Sequence, residues 1–431
     1  MFDELRPEVL VVGAGPVGLF TALSLARRNV NVRIIDTGVW ACTHSYALAV
    51  HPQALDLFAQ LGLKEKILSE SYPVRRIAFC DNGGTRVALD AGDAQHPLAV
   101  VRQDALENLL EDELGKLGVR VGWRHEASAV AQGDDHARVT VQKFEKESRG
   151  YIVAHTEWVV AKTWELEPKF VVGADGYNSR VRRTLDSEFP EAGPAQYFAV
   201  FEFKTDADLQ NTVRVALDGG TMNVLWPLPG GAARWSFELP DYSPSAPDPM
   251  EALRKAGFGD FPTERQKDRV LLSHGLDLPV LDEEHLRQYL RERAPWFTGS
   301  IEKLTWRIVV RFERRLAKRF GAGQLWLAGD AAHLAGPAGV HSMNLGFWEG
   351  ADLAARIESV LRGGADAGTL ASYDARWQAV WKQLHGLERV PAPGPQTDGW
   401  VAQRSAQILS SLPAWGPAYE DMASRLGLII A

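Results

Sequence analysis

The sequence predicts an α/β fold in which a doubly wound, Rossmann-like unit is interrupted by an antiparallel sheet and followed by a helical tail. Three observations carry this expectation. Val9–Val12 is an apolar strand followed by the turn Gly13–Gly18, an amphipathic stretch from Leu19 to Arg28, and a second strand, Val32–Ile35, ending on Asp36. This is the βαβ order of a parallel sheet. Between Ala195 and Leu239 four runs of β character succeed one another with only turn residues between them: Ala195–Phe203, Thr212–Leu217, Met222–Leu228 and Ala233–Leu239. Such spacing favours antiparallel pairing. Beyond Pro391, short helical patterns alternate with Pro and Gly breaks.

The remaining elements fit that frame. A helical pattern from His51 to Leu61 carries Ala54, Leu55, Leu57 and Phe58 on one side, and a second helix, from about Asp104 to Leu117, follows Val100-Val-Arg-Gln103. Residues 119–172 alternate in strand fashion and close on Val171-Val-Gly-Ala-Asp-Gly176. A last strand, Gln324–Ala328, precedes a helix from about Leu345 to Leu361. The expected division is 1–74, 98–176 and 280–388 for the nucleotide-binding unit, 75–97 and 177–279 for the inserted unit, and 389–431 for the C-terminal helical segment.

Composition excludes several classes. With 431 residues, 45% of them hydrophobic and 24% charged, the chain reads as a soluble globular protein with room for two or three domains. A net charge of −8 gives no footprint for nucleic acid. Cys42 and Cys80 are the only cysteines, so no disulfide framework or thiolate metal site is expected, and a cytoplasmic setting fits. The first apolar run is broken by Gly13, Gly15, Pro16 and Gly18, which argues against membrane insertion. Neither an H-E-x-x-H metal motif nor a G-x-S-x-G elbow is present.

The chemistry lies in the turns. In G-A-G-P-V-G, Gly13, Gly15 and Gly18 let backbone approach a pyrophosphate. Pro16 and Val17 open a helix whose N-terminus faces the phosphate charge, and Asp36 stands where an acid holds a ribose. One fingerprint implies one bound dinucleotide. Two more acid-bearing turns, Gly173–Gly176 with Asp175 and Gly329-Asp330, end apolar strands. Asp330 is suited to accept hydrogen bonds from a polyhydroxylated linker such as ribitol. The stretch L-A-G-D-A-A-H-L-A-G-P-A-G-V-H-S-M-N, Leu327 to Asn344, then leads into a helix. Its positive end favours a ring that becomes anionic on reduction, as a flavin does.

With these three motifs in this order, the chain resembles the single-component FAD-dependent aromatic hydroxylases, the p-hydroxybenzoate hydroxylase-like family, over roughly Val9 to Leu387. The resemblance implies that Gly13, Gly15 and Gly18 contact the pyrophosphate, Asp36 the adenosine ribose, and Asp330 beside Gly329 the ribitol. It places Asn344 and its neighbours Pro337, Gly339, Val340, Ser342 and Met343 along the flavin ring. Asp175 and Gly176 would serve FAD and a transient nicotinamide, and Arg102 with Gln103 would contact FAD ahead of a helix. Leu225-Trp-Pro-Leu-Pro-Gly-Gly231 looks like the family's strand and turn above the ring, with Trp226 as a pocket wall. Phe201 and Arg214 are further substrate candidates from the same sheet, and Gly336 stands where the family often has proline. The chain departs from the family pattern at Tyr46-Ala47, where Arg-Ala is common, and at Val340-His-Ser342, where a Gly-rich turn is usual.

The implied activity is hydroxylation of an apolar aromatic molecule, phenolic, polycyclic or heteroaromatic, with NADPH or NADH and O2, through a flavin C4a-hydroperoxide. His341, His44 and Tyr46 are the candidate catalytic groups, while His333 reads as a packed structural residue. An epoxidase or alkene reductase on the same fold, or a non-catalytic flavin sensor, remains open, as does a monomer or a homodimer.

Overall fold

The computed structural model describes residues 6–40, 49–149, 155–240, 270–271, 281–366 and 368–430. Its parallel sheet grows from the middle outward. Val9–Val12 pairs on one side with Val32–Asp36, which pairs with Val121–Trp123; on the other side it pairs with Phe170–Gly173, which pairs with Leu325–Leu327. All four pairings are parallel, and the edge strand Gly321–Ala322 is antiparallel. The change of direction puts a crevice at the carboxyl ends of Val9–Val12 and Phe170–Gly173, where ligands of such sheets bind.

Val9, Leu10 and Val11 are fully buried because helices cover the sheet, which explains a strand apolar at every position. Helix Pro16–Ala26 begins with proline in its first turn, where a missing N–H costs nothing. It packs closely against helix His341–Leu361: a Cβ on Gly346 would stand 2.4 Å from Val17 Cγ2, and one on Gly350 would stand 2.3 Å from Thr21 Oγ1. That second helix begins at His341, four residues before the expected start at Leu345.

Among the described residues the inserted sheet has nine strands. Its order runs Val270–Leu271, Leu304–Leu316, Glu191–Lys204, Ala232–Glu238, Thr221–Leu228, Thr212–Asp218, Arg76–Asp81 and Gly84–Asp90, with His333–Leu334 paired to Leu304–Leu316. The four runs read from sequence are all present and antiparallel. Residues 281–316, expected with the nucleotide-binding unit, instead build the long strand Leu304–Leu316 and helix Glu283–Arg293, which covers one face of this sheet. The reason is that Leu304–Leu316 alternates apolar residues on a period of two and completes the antiparallel ladder with Glu191–Lys204.

The two faces of the sheet differ. Ala199, Phe201, Phe203, Leu225, Trp235 and Phe237 turn toward Leu286, Tyr289 and Leu290 of the covering helix. Val215, Met222, Val224 and Trp226 turn the other way, against Ala338, Val340 and the C-terminal helices, where Ile408, Leu409, Leu412, Tyr419 and Met422 are buried. The expected C-terminal segment is therefore helical, as Gly399–Gln403, Ser405–Ser411 and Gly416–Ser424, and it seals this end of the sheet. Among the described residues no helix is long and apolar enough to cross a membrane.

Candidate functional site

A cavity of about 340 Å³ runs between the two units. At one end it is lined by Gly15, Pro16, Val17 and Gln103, then by Gly176, Asp330, Gly336 and Pro337, and at the other by Val340, His341, Ser342 and Met343. Val310 and Phe312 of the inserted sheet roof it. Ten residues assigned on the flavin side thus meet here from four separate stretches of chain, together with Gly336 from the substrate set and His341 from the catalytic set.

The phosphate turn is shaped for close backbone approach. Gly13 has φ +106, and a Cβ there would stand 2.2 Å from the Ala174 carbonyl oxygen of the neighbouring strand's turn. A Cβ on Gly18 would run into Gly13 O at 1.9 Å. Gly15 has no atom within 4 Å of a built Cβ, so its bare backbone borders open cavity rather than protein. That combination fits a pyrophosphate laid on the turn and the helix N-terminus behind it. Asp36 Oδ2 accepts from Ala14 N at 2.7 Å and Oδ1 from Gly38 N at 2.6 Å. The carboxylate thereby fixes the turn at the end of its strand.

Asp330 and Asp175 play different parts. Asp330 lies on the cavity wall in the short turn Gly329–Ala331, where Gly329 has φ +64 and rests against Val17. That turn is anchored by Glu349, a fully buried residue the sequence did not single out. Glu349 Oε2 accepts from Gly329 N at 2.8 Å and meets His333 Nε2 at 2.9 Å, and Oε1 accepts from Trp381 Nε1 at 2.7 Å. His333 is fully buried and stacks on Trp381 with ring centroids 3.7 Å apart. Asp175 takes hydrogen bonds from Ser179 Oγ, Arg180 N and Val181 N and so starts helix Arg180–Thr184; its neighbours Ala174, Gly176 and Tyr177 line the cavity, and it does not.

At the ring end the structure redistributes several assignments. Asn344 does not face the cavity. Its Oδ1 accepts from His51 N at 2.7 Å and its Nδ2 donates to Ala49 O and Val340 O, so it ties the helix to a distant strand. Gly339 is packed beneath the His341 ring, since a Cβ there would stand 2.6 Å from Nδ1. Val340, with φ 51 and ψ 38, is a β-branched residue in the left-handed region, a strained conformation at the start of a helix whose first residues, His341, Ser342 and Met343, line the cavity. Ser342 Oγ accepts from Ala335 N.

His341 Nε2 lies 2.9 Å from Leu412 O and 3.2 Å from Ala414 O. Two carbonyl partners require the proton on Nε2, so Nδ1 is the acceptor nitrogen. Burial pushes this imidazole down to about 4 and the His51 imidazole, against which it packs edge-on, down to about 3. Both rings are neutral near pH 7.

On the sheet side Trp226 is buried on the face that packs against Ala338 and Val340, but it is not among the residues that line the cavity. Phe201 and Arg214 are not brought to the cavity. Phe201 is fully buried against Phe237 and Tyr289 on the opposite face, and Arg214 Nη1 donates to Leu209 O near the Trp296 ring. Arg102 does not line the cavity either; Nη1 lies 3.4 Å from Glu202 Oε2, and Glu202 is buried in a pair with Arg234 Nε at 2.8 Å. The candidates His44 and Tyr46 lie outside the described residues. Among the described residues there is no cluster of His, Cys, Asp and Glu suited to a metal ion.

A crevice that offers bare glycine backbone at one end and a helix start under an aromatic sheet at the other fits an extended dinucleotide with a flat redox ring, and that is the class this fold and site define. The chain belongs to the FAD-binding domain family, whose model matches residues 6–221 and 249–386. It is 29% identical over 397 residues to 6-methylpretetramide 4-monooxygenase of Streptomyces rimosus, covering 90% of this chain and 60% of that protein. It is also 29% identical over 390 residues to an uncharacterized aromatic compound monooxygenase of Bacillus subtilis (strain 168), covering 89% and 68%. The chain thus spans about 60% of the length of the first of these relatives. The crystal structure of p-nitrophenol 4-monooxygenase PnpA from Pseudomonas putida DLL-E4 superposes with a TM-score of 0.67 over 98% of this chain and 94% of that one, at 19% identity, which shows a shared fold.

Proposed function

We propose that this chain is an FAD-dependent monooxygenase that uses NADPH or NADH and O2 to hydroxylate an apolar aromatic molecule. The observation that carries the reading is the continuity of one cavity from the Gly15–Val17 turn to the helix start at His341, roofed by Val310 and Phe312. Supporting it, the relatives above are named as monooxygenases, one of them for aromatic compounds. When bound, FAD supplies the electron transfer and oxygen activation.

The chain's own residues do the rest. The backbone of Gly15–Val17 holds phosphate charge, and Asp330 accepts hydrogen bonds from the polyol between phosphate and ring. The N–H groups of the helix start after Val340 stabilise negative charge at the ring edge. Val310 and Phe312 present an apolar surface on which an aromatic substrate lies, Trp226 packs behind Val340, and the C-terminal helices exclude water behind them. His341 acts as a fixed acceptor, because its only proton is committed to the Leu412 and Ala414 carbonyls.

The deciding experiment measures NADPH and NADH oxidation by the FAD-loaded chain with a panel of phenols and heteroaromatics under labelled O2. Ligand-stimulated oxidation with one labelled oxygen atom in the product is expected. Oxidation indifferent to every ligand, or product without label, sinks the reading.

A further inference from the structure

The cavity is apolar along Val310, Phe312, Pro337, Val340 and Met343, so any polar group on its border decides what chemistry a substrate edge can carry. One polar group of the inserted sheet stands next to residues that line it. Gln196 stands directly opposite the cavity-lining Phe312 across the ladder, and cross-strand partners share a face. A Cβ built on cavity-lining Gly336 would lie 3.5 Å from Gln196 Oε1, so the carboxamide oxygen is turned toward that wall.

The orientation of this amide is set by its neighbour. Gln196 Nε2 donates to Glu238 Oε1 at 2.8 Å, and Glu238 Oε2 accepts from Met222 N at 2.7 Å. A carboxylate only accepts, so the NH2 end of Gln196 must face it and the C=O end must face Gly336. Gln196 Oε1 takes no hydrogen bond from any described residue. The wall therefore presents an acceptor backed by a negative charge. A ligand edge that donates a hydrogen bond is complementary to it, whereas a carboxylate meets two repelling groups. Arg311 also borders the cavity, but its Nη2 is held by Glu313 Oε1 at 2.8 Å.

We propose that Gln196, held in place by Glu238, accepts a hydrogen bond from the substrate and selects a neutral aromatic donor, a phenol or N–H heteroaromatic, over an aromatic carboxylate. This rests on the monooxygenase reading of the same site. Gln196 is the contact residue, and Glu238 is a positioning residue acting through it.

The test is a titration of the FAD-loaded chain with phenol, 2-naphthol, benzoate and 2-naphthoate, read by the perturbation of flavin absorbance. The hydroxyl ligands are expected to bind at least about tenfold more tightly than the matching carboxylates. Gln196→Met weakens hydroxyl binding by about tenfold, the scale of one neutral hydrogen bond in a buried site. Glu238→Gln removes the charge and lets the amide turn, so carboxylate binding rises while FAD content stays the same. That gain separates positioning from a merely structural role, and it keeps the test decisive if Gln196→Met folds poorly. Carboxylates binding as tightly as hydroxyl ligands, hydroxyl binding unmoved in Gln196→Met, or no hydroxyl ligand perturbing the flavin overturns the inference. Selective hydroxyl binding without ligand-stimulated nicotinamide oxidation would leave the inference standing and overturn the monooxygenase reading instead.

Discussion

On the nucleotide side of the cavity the polar side chains of the turns are largely spent on the fold, whereas on the sheet side Gln196 turns its amide oxygen toward the wall at Gly336. Asp175 starts a helix, Asn344 ties a helix to a strand, and Glu349 anchors the Gly329–Ala331 turn. In the proposed reading, the backbone these groups hold in place does the binding. The sheet works in the opposite way: its backbone is consumed by ladder hydrogen bonds, so only side chains on the correct face reach the ligand.

The largest effect that would break this comparison is at Glu349. Glu349→Ala leaves Gly329 N, Trp381 Nε1 and His333 Nε2 buried without their partner, and a loss of roughly 3–5 kcal/mol is expected by analogy with breaking a buried pair. Denaturant unfolding measures it; a loss below roughly 1 kcal/mol would mean that the turn does not depend on this anchor.

On the sheet side, Phe201→Ala should also cost roughly 3–5 kcal/mol through the cavity it leaves, while ligand affinity in the folded protein stays unchanged. Trp226→Ala should lower aromatic affinity as well as stability. Equal effects of the two changes on flavin-perturbation titrations would contradict the assignment of faces.

Glycine substitutions sharpen the nucleotide side. Gly13→Ala is expected to unfold or strongly destabilise the chain because its Cβ has no room beside Ala174 O. Gly15→Val, whose side chain meets only open cavity, should keep the fold and lose FAD. Comparing far-UV circular dichroism with flavin content after purification distinguishes them, and FAD retained at wild-type level in Gly15→Val would remove the phosphate turn from the binding site.

A smaller effect concerns pH. His341 and His51 titrate at about 4 and about 3 in the folded chain, against 6.5 for an ordinary imidazole, because burial disfavours the charged ring. The unfolded chain therefore binds these protons first. Their stabilising contribution is complete above about 6.5 and is lost as pH falls toward about 4 and then about 3. His341→Gln should flatten the stability profile between pH 6.5 and 4, and an unchanged slope there would show that the ring is not buried in solution. Smallest of all, Arg214→Gln should shift ligand affinity by less than about 0.5 kcal/mol, since the residue lies across the sheet from the cavity.

The sequence by itself determined the turns. Gly13–Gly18, Asp36, Gly176 and Gly329-Asp330 were legible because each motif is local: a few adjacent residues impose a positive φ or a close approach that side chains forbid. The four sheet strands were legible for the same reason, from their period of two and the turns between them. Only the tertiary structure decided which side of those strands meets the ligand. With apolar residues on both faces, the alternation that places Phe201 and Trp226 on opposite sides carries no sign telling which side is the cavity. The same holds for ties between distant segments, such as Asn344 with His51, 293 residues apart, and Gln196 with Glu238, 42 apart. Such contacts depend on how whole elements pack, and no local spacing in the chain encodes them.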